Sequence, residues 1–128
     1  MATRHEVMVK LRDHTAKVCV ELAVNMHAEL VEATPVDTGF ARAMWVPSLS
    51  APSFVTATSA ADGKGLADAG LAAVLAFKLD DGAIFVSNRT RYIRRLDGGS
   101  STQAPAGFVR AAIARAIING GNGQLAPA

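Results

Sequence analysis

Residue types and spacing in this chain suggest several kinds of chemistry, and each needs a partner group that the sequence must also supply. Asp37-Thr38-Gly39 is a triplet that can hold a carboxylate in a tight turn. Two such carboxylates sharing one proton, one from each of two chains, would activate water for peptide hydrolysis. Here the triplet follows a helical stretch and a proline instead of an apolar strand, and no glycine-rich flap accompanies it. Asp37 therefore reads as a turn residue that hydrogen-bonds its own backbone. His5, His14 and His27 lie nine and thirteen residues apart without a cysteine or carboxylate at zinc-ligand spacing, so no metal site is expected. His14 and His27 read as helix-surface residues. Ser100, Ser101 and Thr102 follow Gly98-Gly99, but a phosphate cradle would need a Gly-Lys-Ser/Thr run at a strand-to-helix turn; a polar loop or helix cap is expected. Cys19 is the single cysteine, which excludes an internal disulfide and suits a reducing cytoplasm. Its helical, apolar surroundings predict a packed thiol.

The remaining chemistry is cationic. Nine of the thirteen basic residues are arginine, and Arg89, Arg91, Arg94 and Arg95 fall within seven positions. Such a segment can bind phosphates, pair with acidic groups of another subunit, or form a solvated face, and the residues leave all three open. Tyr92 and Ile93, placed among them, are expected to pack inward. The net charge of +2 is too small to mark the whole chain as a nucleic-acid binder.

The elements that must position these groups follow from periodicity. No Pro or Gly occurs from His5 to Ala33, and Met8, Leu11, Thr15, Val18, Leu22, Met26 and Leu30 recur every three or four residues, which predicts a long amphipathic helix. That helix is longer than one core element of a small globule requires, so part of it is expected to serve a neighbour. Asp13 with Lys17, and Lys17 with Glu21, are spaced to pair along it. Thr34-Pro35 ends it. Ala41 to Leu49 predicts a strand, with Pro47 at an edge or at its end. Ser48 to Gly65, rich in Ser, Ala, Thr, Pro and Gly, predicts a long loop or β-arm. Asp68 to Leu79 has helical composition, although Asp80-Asp81-Gly82 would also suit a hairpin if Val74 to Leu79 were extended. Ala83 to Asn88 predicts a strand, Ala104 to Ile118 a final helix with Pro105 near its start, and the last residues from about 120 a frayed tail. The result is one α+β domain, with the long N-terminal helix and further helices packed on one face of a small, mostly antiparallel sheet.

At 128 residues the chain suits one domain with a moderate core. The N-terminus lacks the layout of a secretory signal, and the longest apolar-rich run, Leu66 to Phe77, is too short to span a bilayer. No membrane partner is expected.

Thr34-Pro35-Val36-Asp37-Thr38-Gly39, followed by Arg42 and Trp45, and the later block Asn88, Tyr92, Leu96, Asp97, Gly98, Gln103, Ala104, Pro105 stand in an order and spacing that resembles the neck or tail-completion proteins of long-tailed bacteriophages, the family that includes the minor tail protein Z of lambda-like phages. The chain departs from that pattern at Asp97, where glutamate is more typical, and at Ile93-Arg94-Arg95, where a small residue usually follows the tyrosine. The resemblance implies a non-enzymatic virion protein without a cofactor, assembled in the host cytoplasm, that completes the tail or neck and supports head-to-tail joining. It further implies a homo-oligomeric ring, six copies by family expectation, between a tail-tube or tail-terminator protein and head-completion or connector proteins. Packaged double-stranded DNA would pass nearby without being read. Pro35, Asp37, Thr38, Gly39, Arg42 and Trp45 would form the family turn, and Arg89, Arg91, Tyr92, Arg94, Arg95, Asp97, Gln103 and Pro105 a candidate assembly interface. The other class that the arginines allow is a small basic nucleic-acid-associated protein.

Overall fold

The structure is a computed structural model that describes residues 3–35, 40–53, 59–90, 93–99 and 106–119. Helix α1 (Arg4–Ala33) spans thirty residues, about 45 Å at 1.5 Å per residue. Its start is fixed by a capping box: the Thr3 hydroxyl accepts from the Glu6 N–H, and the Glu6 carboxylate accepts from the Thr3 N–H. A short helix, α2 (Phe40–Ala43), leads into strand β1 (Trp45–Leu49). Helix α3 (Ala60–Leu75), strand β2 (Ile84–Asn88), the short helix α4 (Ile93–Asp97) and helix α5 (Phe108–Asn119) follow.

The expected α+β class is what the chain adopts: a long N-terminal helix, several further helices and a two-stranded antiparallel sheet. The register pairs Trp45 with Asn88 and Leu49 with Ile84. The Ser50 N–H donates to the Ala83 carbonyl at 2.8 Å, so alternate residues of β1 bond toward β2, and Pro47 falls on a position whose backbone faces the other way. The missing N–H of Pro47 thus lies on the outer edge of β1 and removes no ladder bond.

That outer edge is covered by α3, through glycines. A Cβ at Gly63 would stand 2.8 Å from the Ala43 carbonyl oxygen, and one at Gly70 would overlap the Pro47 carbonyl oxygen. Gly63, Ala67, Gly70 and Val74 recur at helical spacing and form the face that approaches β1. Gly63 and Gly65, which read as loop composition, therefore belong to a helix. The stretch assigned to loop or arm, Ser48 to Gly65, is corrected accordingly: its first two residues end β1, and from Ala60 it is helical, with Ser59 as N-cap. Residues 54–58 lie outside the described ones. Helix α3 stops at Leu75, short of the expected Leu79, and Leu79–Asp81 form a single 3-10 turn.

Leu30 of α1, Trp45 of β1 and Ala112 of α5 form the buried centre, with Met26, Val86, Ile93, Val109 and Ile113 packed around it. Helix α5 begins at Phe108, after Gly107 at φ +80°, later than the expected Ala104. The positive φ, which favours glycine, stops helical geometry from extending further back. The expected tail from about 120 lies outside the described residues. Among the described residues no helix is long and apolar enough to cross a membrane.

Candidate assembly interface

The turn that follows α1 closes the helix with side chains from three elements. A helix leaves its last four carbonyls without internal partners, and α1 has no basic residue in its last turn to meet them. Arg42, delivered by α2, supplies the missing donors: its Nε–H reaches the Val31 carbonyl at 2.7 Å and Nη2 the Glu32 carbonyl at 3.2 Å. Thr34 takes care of Leu30 with both its N–H (3.1 Å) and its hydroxyl (2.7 Å). The Thr34 hydroxyl oxygen then accepts from the Trp45 indole N–H at 2.7 Å, in a position where Thr34, Pro35 and Trp45 are all buried.

Two further groups lock this corner. His27 donates from Nε2 to the Trp45 carbonyl at 2.9 Å, a role that fixes its tautomer and leaves Nδ1 as an acceptor. Burial pushes its pKa below the ordinary imidazole value, although the Trp45 carbonyl and the Asp68 carboxylate pull in the opposite direction. The expectation of a surface histidine is thus corrected: His27 is half-buried and bonded, while His14 is exposed. Asn88, at the end of β2, donates from Nδ2 to the Ala41 carbonyl at 2.9 Å and accepts the Thr90 N–H at 2.9 Å. Asn88 of the second motif thus pairs in the sheet with Trp45 of the first and bonds the residue beside Arg42. Asp37, Thr38 and Gly39 lie outside the described residues.

The second motif divides by role. Asp97 works within the chain: its Oδ1 accepts the Val109 N–H at 3.0 Å and its backbone carbonyl the Gly107 N–H at 2.7 Å. It thus caps α5 from a distant position, satisfying donors that the first turn of a helix leaves free. Ile93 packs on the core, as expected. Arg94 and Arg95 point the other way and are exposed on α4. The ion pairs among the described residues are Arg12 with Asp80 (2.6 Å) and Arg115 with Glu29 (2.9 Å). Neither of the two α4 guanidinium groups takes part in them, nor does the expected series of Asp13, Lys17 and Glu21. Arg89 is exposed. Arg91, Tyr92, Gln103 and Pro105 lie outside the described residues.

Two concavities adjoin these elements. One, of about 460 Å³, lies between α1, α2 and α3 and is lined by His27, Arg42, Trp45, Lys64 and Asp68 among others. No hydroxyl or thiol nucleophile is among its described lining residues, and two of its polar groups, His27 and Arg42, are already committed to backbone carbonyls. The other, of about 380 Å³, is an apolar groove between α1, the sheet and α5. Among the described residues no group of three or more His, Cys, Asp or Glu is placed to hold a metal ion.

Sequence reasoning found Arg42, Trp45, Asn88 and Asp97 as motif positions but missed what they bond. The role of His27 went unseen because its partner is a backbone carbonyl, which leaves no mark in the sequence, and that of Thr34 because it joins the Leu30 carbonyl to the Trp45 indole eleven positions away. Compared with protein-family models, with curated proteins and with solved structures, the chain finds no match in any of the three.

Proposed function

We propose that this chain is a non-enzymatic bacteriophage virion protein that completes the tail or neck and supports head-to-tail joining through ring-like contacts between copies. The reading rests first on the ordered motif resemblance. The observation that carries it further is the division of labour within the two motifs. Arg42, Trp45, Asn88 and Asp97 are consumed in holding the fold, whereas Arg94 and Arg95 stand exposed on α4 without a partner among the described residues. Guanidinium groups in that state suit bidentate pairing with carboxylates of an adjoining subunit. Heterologous contacts of this kind close into a ring when the rotation per copy allows. Six copies, and tail-tube and connector proteins as neighbours, belong to the same proposal.

The test is light scattering of the purified protein at physiological salt, alone and with its tail-tube partner, together with virion yield from the Arg94→Ala, Arg95→Ala double variant. A ring, alone or formed with the partner, and a loss of virions without a loss of folding are expected. Unchanged yield would sink the assignment of these arginines to assembly. The same exposed arginines favour one second reading, a small basic nucleic-acid-associated protein. A permanent monomer that binds duplex DNA with steep salt dependence would move the assignment there.

A further inference from the structure

The apolar stripe of α1 runs on beyond the body of the molecule. Its C-terminal part packs inward through Leu22, Met26 and Leu30, whereas Val7, Met8, Val9 and Leu11 are 42–58% exposed. The capping box at Thr3 nevertheless holds this tip helical to its first turn. Met8 and Leu11 lie on the same stripe as Leu22 and Met26, so the exposed side chains continue the line of the buried ones. On the body, the core is left open beside that line. The 380 Å³ groove is walled by Cys19, Leu22, Met26, Ile84 and Ile113, and no residue of β2 is fully buried. The tip cannot fold back to fill it, because α1 is continuous and has no Pro or Gly between His5 and Ala33.

We infer that the tip of α1, centred on Val7, Met8 and Leu11, seats in the apolar groove of a second copy of this chain. Val7 with Leu11 at i, i+4 and Met8 with Leu11 at i, i+3 have the spacing of the anchors that a hydrophobic groove accepts. Charge favours the same match. The groove reaches Leu79, which also borders a concavity lined by Arg12, Asp13, Lys78 and Asp80; with Asp81 next in sequence, acids outnumber bases there. The tip carries Arg4 and Lys10 against Glu6. The two surfaces have opposite net sign, and each chain presents one of each. A contact from tip to groove is therefore repeatable from copy to copy. It names a contact for the ring proposed above and requires self-association, but not a virion role.

Cys19, in the groove wall, allows a direct test. In a Met8→Cys variant the two thiols of one chain are eleven residues apart on one helix, about 16 Å, beyond the ~7 Å Cα separation that a disulfide tolerates. Any disulfide between residues 8 and 19 must then join two copies. Under mild oxidation the full chain is expected to give disulfide-linked multimers whose peptide map contains the 8–19 bond. Adding Ala83→Arg, which blocks the groove at an exposed lining position, should abolish that bond without altering the melting temperature. Linkage only between residue 8 of two copies, or no linkage, would overturn the docking even if light scattering shows a ring. The 8–19 bond in a chain that proves dispensable for virions would uphold the docking and reject the virion reading.

Discussion

The two ends of α1 carry the same apolar spacing and reach opposite outcomes. Around Leu30 the stripe is covered by Trp45 and Ala112, and the helix end is bonded by Thr34 and Arg42. Around Met8 it is bare. Periodicity alone cannot tell a face that folds inward from one that waits for a partner. What separates them is the supply of covering elements, because α2, β1 and α5 all reach the C-terminal part and none reaches the tip.

That contrast can be broken from the covered side first. Trp45→Ala is expected to cost about 3–5 kcal/mol, the range for deleting a large buried aromatic, because it empties the core and leaves the Thr34 hydroxyl without its donor. Denaturant unfolding would measure it, and a loss below ~1 kcal/mol would mean that the corner does not hold the helix. Two glycines of α3 sharpen the same point. Gly70→Ala should destabilise by about 1–3 kcal/mol, since the new methyl meets backbone at Pro47. Gly65→Ala, with nothing within 4 Å, should stabilise by roughly 0.5–1 kcal/mol through helix propensity. Equal shifts in the two would show that α3 does not press on β1.

Smaller effects follow. Asp97→Ala removes a cap on α5 and is expected to cost ~1 kcal/mol in thermal melts, with Asp97→Asn recovering most of it. His27 supplies a pH signature. Its folded-state pKa lies below the unfolded value near 6.5, so the unfolded chain binds the proton more readily. Stability should be level above that value and fall as the pH drops below it. His27→Gln should flatten the slope. On the bare side, Leu11→Gln should leave monomer stability within about ±0.5 kcal/mol, as at other exposed sites; a large loss would mean that the tip is covered within the chain.

Much of this architecture is legible in the residues. The unbroken run from His5 to Ala33, its stop before Pro35, and the strand at Ile84–Asn88 all carry strong local signals, and the structure follows them. The misread segment is instructive. Gly63 and Gly65 look like loop residues because local propensity disfavours glycine in helices, yet Gly63 is set by a distant neighbour, the backbone at Ala43. The late start of α5 is similar. Composition places Pro105 at a helix start, but Asp97, eleven positions before Phe108, makes the cap. The candidate site was visible only as a motif, since His27 acts through a backbone carbonyl that no side-chain pattern reports, and Thr34 through one such carbonyl and an indole that folding brings to it.

The bond between Arg115 and Glu29 spans eighty-six positions, and Ala112 closes the centre that Leu30 begins. During synthesis from the N-terminus, the apolar stripe is complete before Trp45 is made and long before α5 emerges. Long-range closure of this kind is slow relative to local helix formation. A nascent chain therefore carries an uncovered apolar helix from the completion of α1 until α5 arrives, exposed over that interval to aggregation or chaperone capture.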